Sequence, residues 1–576
     1  MKLIEKTLAS VAVLCVCALL ASAAAAEMID YHKPGELDPL PAGTASLYKT
    51  PWRSNVRTAG AWEALQGMGI YYKHVPNWTV DQHTNIMKQM VECGVTRLRL
   101  APHHTLYIHR DWTEPKPNEV QVLNRELQGC KAAGIRPCVT FVHVPPMGKS
   151  DEMMKWFKRN WNKGLLPFGE PGSPEEKLFF EKTYLSFSFI LEAARKAGFT
   201  QPGSYDLEIG QNLWWGFPAM EPFPGLTLEM LQPGGQVYEF GKKLMDRARN
   251  EGYVEPTFWW GQCYHHFDKM SDAEVPDECV GRAISYYSSW TGITTKTWFN
   301  SKAAKAAGVE DAWPTRETPR FLEGTPPEMV LARPEGHMAD RSRRDCLLDL
   351  LTGSKTPTAV TSLGTTPKII PNWRDGGMSG WRLKQRGLTR TYAFWLNQGV
   401  PFVLLHSAYE GGREDLGESE HSKLPSMTDP LAFKWSDSLP LTTIRSFRTA
   451  LEGARRVDEL IPLGFRYSLD YNPVLIPATD KVGPMRASDL VALLPFQIDS
   501  KKFAVAAYIL TPNIAQLLAP GKMTLEIDKE LDGRVTVMRP CTQEKTRAEI
   551  IDRNNDATTI EFEIADDVTW LIFEID

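Results

Sequence analysis

Glu208, Asp375 and Glu410 are the carboxylates of this chain most favourably placed for acid/base chemistry, with Glu221 and Asp268 as further candidates. Two carboxyl groups across a cleft, one holding a proton and one activating water, can cleave an acetal bond. Around them in sequence stand His103, His104, His143, His265, His266 and the aromatics Trp214, Trp215, Tyr286, Tyr287 and Trp290. Aromatic faces stack on the apolar faces of sugar rings, while His, Asn and Arg bind hydroxyls or acidic groups. Arg97 and Arg99 alternate with Leu98 and Leu100, so both arginines share one face of a strand. A buried Arg needs a partner, which makes Arg99 a candidate for a carboxylate or sulfate, or for a structural pair with a strand Glu. Clustered His can also hold a metal, but no H-E-x-x-H or H-x-H spacing occurs, so no metal and no cofactor are expected.

These residues fall at regular places in a repeated pattern. Short β-rich runs alternate with longer runs of helical period from residue 69 onward. The strands are expected at 69–75, 95–102, 135–144, 205–210, 256–263, 283–288, 358–363 and 400–406. Helices are expected at 79–93, 118–133, 173–197, 236–250, 340–352, 381–398 and 442–460. Eight such units in a row predict a closed (β/α)8 barrel of the α/β class, spanning 55–460. An open doubly wound sheet is the alternative, and the chain has no Gly-rich phosphate turn to support it. Barrels of this kind carry their sites at the C-terminal ends of the strands. His103/His104, His143, Asn212/Trp214, His266, Tyr287/Trp290 and Glu410 all stand at or just after strand ends, and Asp375 lies in the loop after the seventh strand.

After residue 461 the helices stop and short alternating runs take over, at 490–496, 503–510, 523–527, 535–538, 558–564 and 568–575. That pattern predicts an antiparallel β-sandwich over 461–576. The Pro- and Gly-rich segment 27–54 is expected to run back along it.

The fourth and seventh strands carry a resemblance. Glu208-Ile209-Gly210-Gln211-Asn212, after Tyr205, resembles the strand-four signature of clan A glycoside hydrolases, closest in layout to family 39. Thr361-Ser362-Leu363-Gly364 similarly resembles that clan's strand-seven run. The resemblance implies a retaining glycosidase with a Glu acid/base at the end of the first motif and a Glu nucleophile in the second. Here Asn212 and Ser362 occupy those two places. Retention requires two carboxyl groups about 5–5.5 Å apart, which an amide and a hydroxyl cannot supply.

Three readings therefore stand side by side. The acid/base pair has moved to other carboxylates, with Glu208, Asp375 and Glu410 foremost and wider spacing suited to inversion. Alternatively the substrate supplies its own nucleophile, and Asp206-Leu207-Glu208 holds the single acid needed. In the third, catalysis is lost and the barrel binds glycan. A lyase, with a His or Tyr base and Arg99 neutralising a uronic acid, belongs to a further class.

Composition narrows the partners. The chain carries 18 Trp, 17 Tyr and 24 Phe, enough for both a large core and a sugar-stacking rim. Its formal charge of −5 is spread without a basic stripe, so nucleic acid is not an expected partner. Lys2 and Lys6, the apolar run 8–20 and the small residues 21–26 form a signal-peptide pattern. Export to the periplasm or medium follows, with no membrane contact after cleavage. Beyond it, Cys93, Cys130, Cys138, Cys263, Cys279, Cys346 and Cys541 lack any C-x-x-C spacing. Most read as buried thiols, with a Cys263–Cys279 pair as one option.

Overall fold

The computed structural model describes residues 28–32, 56–72, 77–100, 117–141, 170–209, 232–262, 274–287, 356–364, 380–405, 439–476, 485–511, 518–540, 544–554 and 556–576. Two short strands, β1 (Ile29–Asp30) and β2 (Ala59–Gly60), lead into helix α1 (Ala61–Gln66) and strand β3 (Met68–Tyr72). The chain then alternates: α2 (Val80–Cys93), β4 (Arg97–Leu100), α3 (Pro117–Ala133), β5 (Arg136–Phe141), α4 (Pro174–Lys196), β6 (Tyr205–Ile209), α5 (Gln236–Asn250). Next come β7 (Pro256–Gln262), β8 (Cys279–Tyr287), β9 (Thr358–Gly364), α6 (Gly380–Asn397), β10 (Val403–Leu405) and α7 (Leu439–Ala450). Strands β3 to β10 pair in parallel, each with the next, and β10 closes on β3. The protein is a closed eight-stranded α/β barrel.

Local chemistry sets the helix starts. At α2, Gln82 N–H donates to Thr79 Oγ1 (3.3 Å) and Thr79 N–H donates to Gln82 Oε1 (2.8 Å), a reciprocal cap. Gly94 ends that helix at φ +106°, a left-handed conformation that favours glycine. Ser173 caps α4 from one side only, its hydroxyl accepting from Glu176 N–H at 3.1 Å, with Pro174 in the first turn.

Strand parity sorts the side chains. Leu98, Leu100, Val139, Phe141, Leu207 and Ile209 join helix residues such as Ile86, Leu127 and Phe187 in one apolar core. Phe141 and Phe187 stand 5.1 Å apart, centroid to centroid. Their strand neighbours of opposite parity fill the barrel interior, where Cys138, Trp259, Ala283, Ala359, Phe402 and Leu404 form a separate apolar cluster. The interior also holds Arg97, Arg99, Thr140, Asp206, Glu208 and Thr361.

The rest of the chain is β-structure: β11 (Phe465–Leu469), β12 (Val474–Ile476), β13 (Met485–Arg486), β14 (Val491–Gln497), β15 (Lys502–Ile509), β16 (Gly521–Ile527), β17 (Leu531–Arg539), β18 (Glu544–Arg547), β19 (Glu549–Asn554), β20 (Ala557–Ile564) and β21 (Thr569–Ile575). One sheet runs β1-β11-β16-β20-β19 and another β18-β17-β21-β15-β14-β2. Strand β20 of the first contacts β15 and β17 of the second, and Leu531 N–H donates to Thr558 Oγ1 across them at 3.1 Å. Ile29 pairs with Tyr467, and Ala59 pairs in parallel with Phe496, so segments ahead of the barrel complete both sheets.

The eight barrel strands lie where the hydrophobic pattern places them, with ends shifted by a few residues. The last barrel helix differs more. It was expected at 442–460 and instead runs Leu439–Ala450, because Gly453 takes φ +86° and the following residues leave helical geometry. Pro440 is tolerated in its first turn, where a missing N–H costs no bond. The helix expected at 340–352 lies outside the described residues. Strands β1, β2, β11, β12, β13, β18 and β19 and helix α1 were not anticipated. Most of these strands are very short, and β18 and β19 are highly charged and mostly exposed.

Candidate functional site

Two polar storeys occupy the barrel interior, one residue pair apart along the strands. The lower one is centred on Asp206 of β6. Arg136 Nε and Nη2 donate to its two oxygens at 2.8 and 2.7 Å. Arg97 forms a second ion pair with it, and Trp259 Nε1–H donates to Oδ1 at 3.0 Å. The Arg97 guanidinium lies 4.5 Å from the centre of the Phe402 ring. Burial holds the Arg97 guanidinium below its ordinary pKa, against the opposing pull of Asp206. Both Asp206 oxygens are thus engaged, and this storey forms a floor.

The upper storey is centred on Glu208, which is wholly buried, as are Thr140 and Thr361. Thr140 Oγ1–H donates to Glu208 Oε2 at 2.9 Å, and Thr140 Oγ1 accepts from Arg99 Nε at 2.9 Å. Arg99 Nη2 stands 3.7 Å from Glu208 Oε2, and its guanidinium lies 5.4 Å from the centre of the Tyr71 ring. On the other side, Thr361 Oγ1 lies 2.9 Å from Glu208 Oε1 and 3.2 Å from the Ile284 carbonyl oxygen.

That last geometry has a chemical consequence. A threonine hydroxyl has one proton and two lone pairs. When Glu208 is ionised, Thr361 donates to it. When Glu208 carries a proton on Oε1, that proton donates to Thr361, whose own proton turns to the Ile284 carbonyl. Both charge states are therefore hydrogen-bonded. Burial pushes the Glu208 carboxyl above its ordinary pKa, opposed by the Arg99 charge and by the Thr361 and Thr140 hydroxyls. A carboxyl held in this way releases its proton at higher pH than an ordinary one, the direction of shift that suits a general acid. Cys138, also inside the barrel, is pushed well up by burial and then by Asp206 and Glu208, so it stays a thiol.

Among the residues singled out in the sequence, the structure brings Arg99 and Glu208 together. It gives Arg99 the strand-carboxylate partner that was one of its two readings. Tyr287 ends β8, and Ser362 pairs with Ser285 across β8 and β9. Their side chains fall outside the described residues. His103, His104, His143, Asn212, Trp214, His266, Trp290, Asp375 and Glu410 also lie outside them, as do Glu221 and Asp268. Thr140 and Arg136 are not among the residues singled out in the sequence, and Thr361 enters there only as part of the strand-seven run. Strand alternation could have found them: Arg136, Cys138 and Thr140 share parity, as Arg97 and Arg99 do. Cys279 is a free thiol with Sγ 3.5 Å from Met245 Sδ, so it does not pair with Cys263. Among the described residues, no group of three or more His, Cys, Asp or Glu could hold a metal ion.

The fold is a (β/α)8 barrel joined to β-sheets, with a buried, hydrogen-bonded carboxyl in the barrel. No protein-family model matches the chain. No curated protein matches it either. Among solved structures, it is similar to a family 39 glycoside hydrolase from Bacteroides cellulosilyticus WH2, at 12% identity and TM-score 0.41, covering 89% of this chain and 82% of that one. A family 51 α-L-arabinofuranosidase from Bifidobacterium longum is similar at 11% identity and TM-score 0.38, over 90% and 97% of the two chains. An exo-β-1,4-mannosidase from Opitutaceae bacterium strain TAV5 is similar at 12% identity and TM-score 0.39, over 67% and 59%. At such identities, what those proteins act on is theirs alone.

Proposed function

We propose that this protein is an exported glycosidase that hydrolyses O-glycosidic bonds of a polysaccharide or oligosaccharide, with an acid/base pair placed elsewhere than at positions 212 and 362, where Asn and Ser stand. The observation that carries this reading is Glu208: a buried carboxyl with a raised pKa, hydrogen-bonded in both of its charge states. A carboxyl kept only for stability needs a partner for one charge state. In this reading Glu208 holds the proton, and Asp375 or Glu410 from the loops activates water. Arg99, His103, His104, His143, Asn212, Trp214, His266, Tyr287 and Trp290 bind the sugar. The pattern of residues 1–26 supports export, and among the described residues no helix is long and apolar enough to cross a membrane.

A second reading is a glycan-binding barrel without catalysis. What favours it is the same residue: Glu208 has no exposure, and both its oxygens are taken by barrel hydroxyls. Release of reducing ends from a panel of neutral and acidic polysaccharides separates the two. The glycosidase reading expects at least one glycan to be cut. Glu208→Gln, and either Asp375→Asn or Glu410→Gln, should each lower the rate about 100-fold or more. If wild type binds a glycan and cuts none, the binding reading replaces it.

A further inference from the structure

We propose that the Nη edge of Arg99 receives the anionic group of an acidic sugar, a carboxylate or a sulfate, so that acidic glycans are the substrate class of this barrel. This rests on the reading of the barrel as glycan-active.

Arg99 is only 3% exposed, yet its guanidinium is hydrogen-bonded at one atom alone among the described residues. Nε donates to Thr140. Nη2 approaches Glu208 Oε2 at 3.7 Å, within ion-pair range but too far for a hydrogen bond. Nη1 and Nη2 make no hydrogen bond among the described residues, and neither is a fully buried unpaired donor, so both are open to a further acceptor. The Thr140 contact fixes Nε and with it the plane of the guanidinium. Two parallel N–H groups so oriented match a carboxylate or sulfate.

Charge points the same way. Arg97, Arg99 and Arg136 face the interior, against the carboxylates Asp206 and Glu208. Asp206 is fully engaged by Arg97, Arg136 and Trp259, so Glu208 is the only interior carboxylate among the described residues left for Arg99. Whenever Glu208 takes up a proton, the charge of Arg99 is unmatched there. An anion on the Nη edge restores the balance. Arg99 sits one residue from the C-terminal end of β4, above the Asp206 floor, and it keeps some exposure where Glu208, Thr140 and Thr361 keep none. Arg99 is therefore the member of the upper storey that an entering ligand meets first.

The two sites are coupled. An anion next to Glu208 favours its protonated form, so binding draws a proton onto Glu208 and primes it as an acid. Glucuronate, glucose 6-sulfate and glucose are probes of one ring with a carboxylate, a sulfate and no charge. Calorimetry of the full chain should show one or both anionic sugars binding about 10- to 100-fold tighter than glucose. Titration in two buffers of different ionisation enthalpy should show proton uptake with the acidic sugars and none with glucose. Arg99→Met should bring the acidic sugars to the level of glucose, and Arg99→Lys, which keeps charge without the planar fork, should fall between. Arg99→Met combined with Glu208→Gln removes both buried charges, so a folded protein lacking the preference remains obtainable. The inference is overturned if wild type binds no acidic sugar tighter than glucose, or if a folded Arg99→Met protein keeps the preference. The acidic preference without hydrolysis of any glycan would leave this inference standing and remove the glycosidase reading. Hydrolysis of neutral glycans without the preference would do the reverse.

Discussion

Glu208 gives the most direct pH signature in the molecule. Its folded pKa lies above the ordinary carboxylate value because burial outweighs Arg99 and the two hydroxyls. Between the unfolded and folded values, the folded chain holds a proton that the unfolded chain has released, so this group's contribution to stability falls as pH rises through that window. Glu208→Gln has no such titration. The stability of wild type relative to Glu208→Gln should therefore decline as pH rises from the ordinary carboxylate value, about 4, toward the raised folded value, read from urea midpoints of both proteins. A rising difference would place the folded pKa below the unfolded one. Asp206 gives a contrasting expectation. Asp206→Ala leaves Arg97 and Arg136 together without their shared carboxylate, and should cost about 3–5 kcal/mol in denaturant unfolding. That Arg97 and Arg99 share a face, as do Asp206 and Glu208, is legible in the sequence, because parity along a strand is a local property. Which Arg meets which carboxylate is not. That depends on the stagger of β4, β5 and β6, which puts Arg99 beside Cys138, Cys138 beside Asp206 and Thr140 beside Glu208.

Within elements, close approach between strands explains where a small residue is required. Gly281 of β8 stands against the chain entering β9: a Cβ there would lie 2.2 Å from the Pro357 carbonyl oxygen and 2.9 Å from the Trp259 ring. Backbone cannot move aside as a side-chain end can. Gly281→Ala should destabilise by about 1–3 kcal/mol, measured as a shift in urea midpoint. The helix starts are worth less. Thr79→Ala removes one half of the α2 cap and should cost about 1 kcal/mol in the same assay. Thr79, Gly94 and Ser173 act only on neighbouring residues, so the ends they set are local features of the chain. The early end of α7 was harder to place. Residues past Ala450 continue a pattern compatible with helix, and the turn at Gly453 instead sends the chain toward the β-sheets, where Arg455 N–H donates to the Ile498 carbonyl at 2.8 Å.

At the scale of the molecule, α6 is the seam between barrel and sheets. Arg386 is buried against Asp566 and Asp567. Arg390 Nη1 donates to Thr511 Oγ1 at 3.0 Å, and Asn397 Nδ2 donates to the Pro495 carbonyl at 2.9 Å. Phe447 of α7 meets Trp570 of β21 edge-on at 5.0 Å. Arg386→Met leaves Asp566 and Asp567 without this partner and should cost about 3–5 kcal/mol. Because the loss falls on the seam, calorimetry should also separate one unfolding transition into two, and a single shifted transition would argue against the seam as the coupling element. On the far side, Tyr31 of the leading segment is buried and its hydroxyl accepts from Leu493 N–H at 2.9 Å, tying β1 to the second sheet.

The amino-acid sequence alone determined the period of its elements: eight strand–helix units, then short alternating strands. Hydrophobic periodicity is local, and each run must bury one face whatever lies far away. It also determined which strand residues share the barrel interior. Only the tertiary structure decided that Thr140 and Thr361 serve Glu208, and that Arg99 beside it makes a single side-chain hydrogen bond among the described residues. It alone decided that residues 29–30 and 59–60 complete sheets formed hundreds of residues later. Those facts depend on strand stagger and on pairing across long stretches of chain, which no local pattern encodes. The chemistry of Glu208 arises there, from burial and from two hydroxyls on different strands.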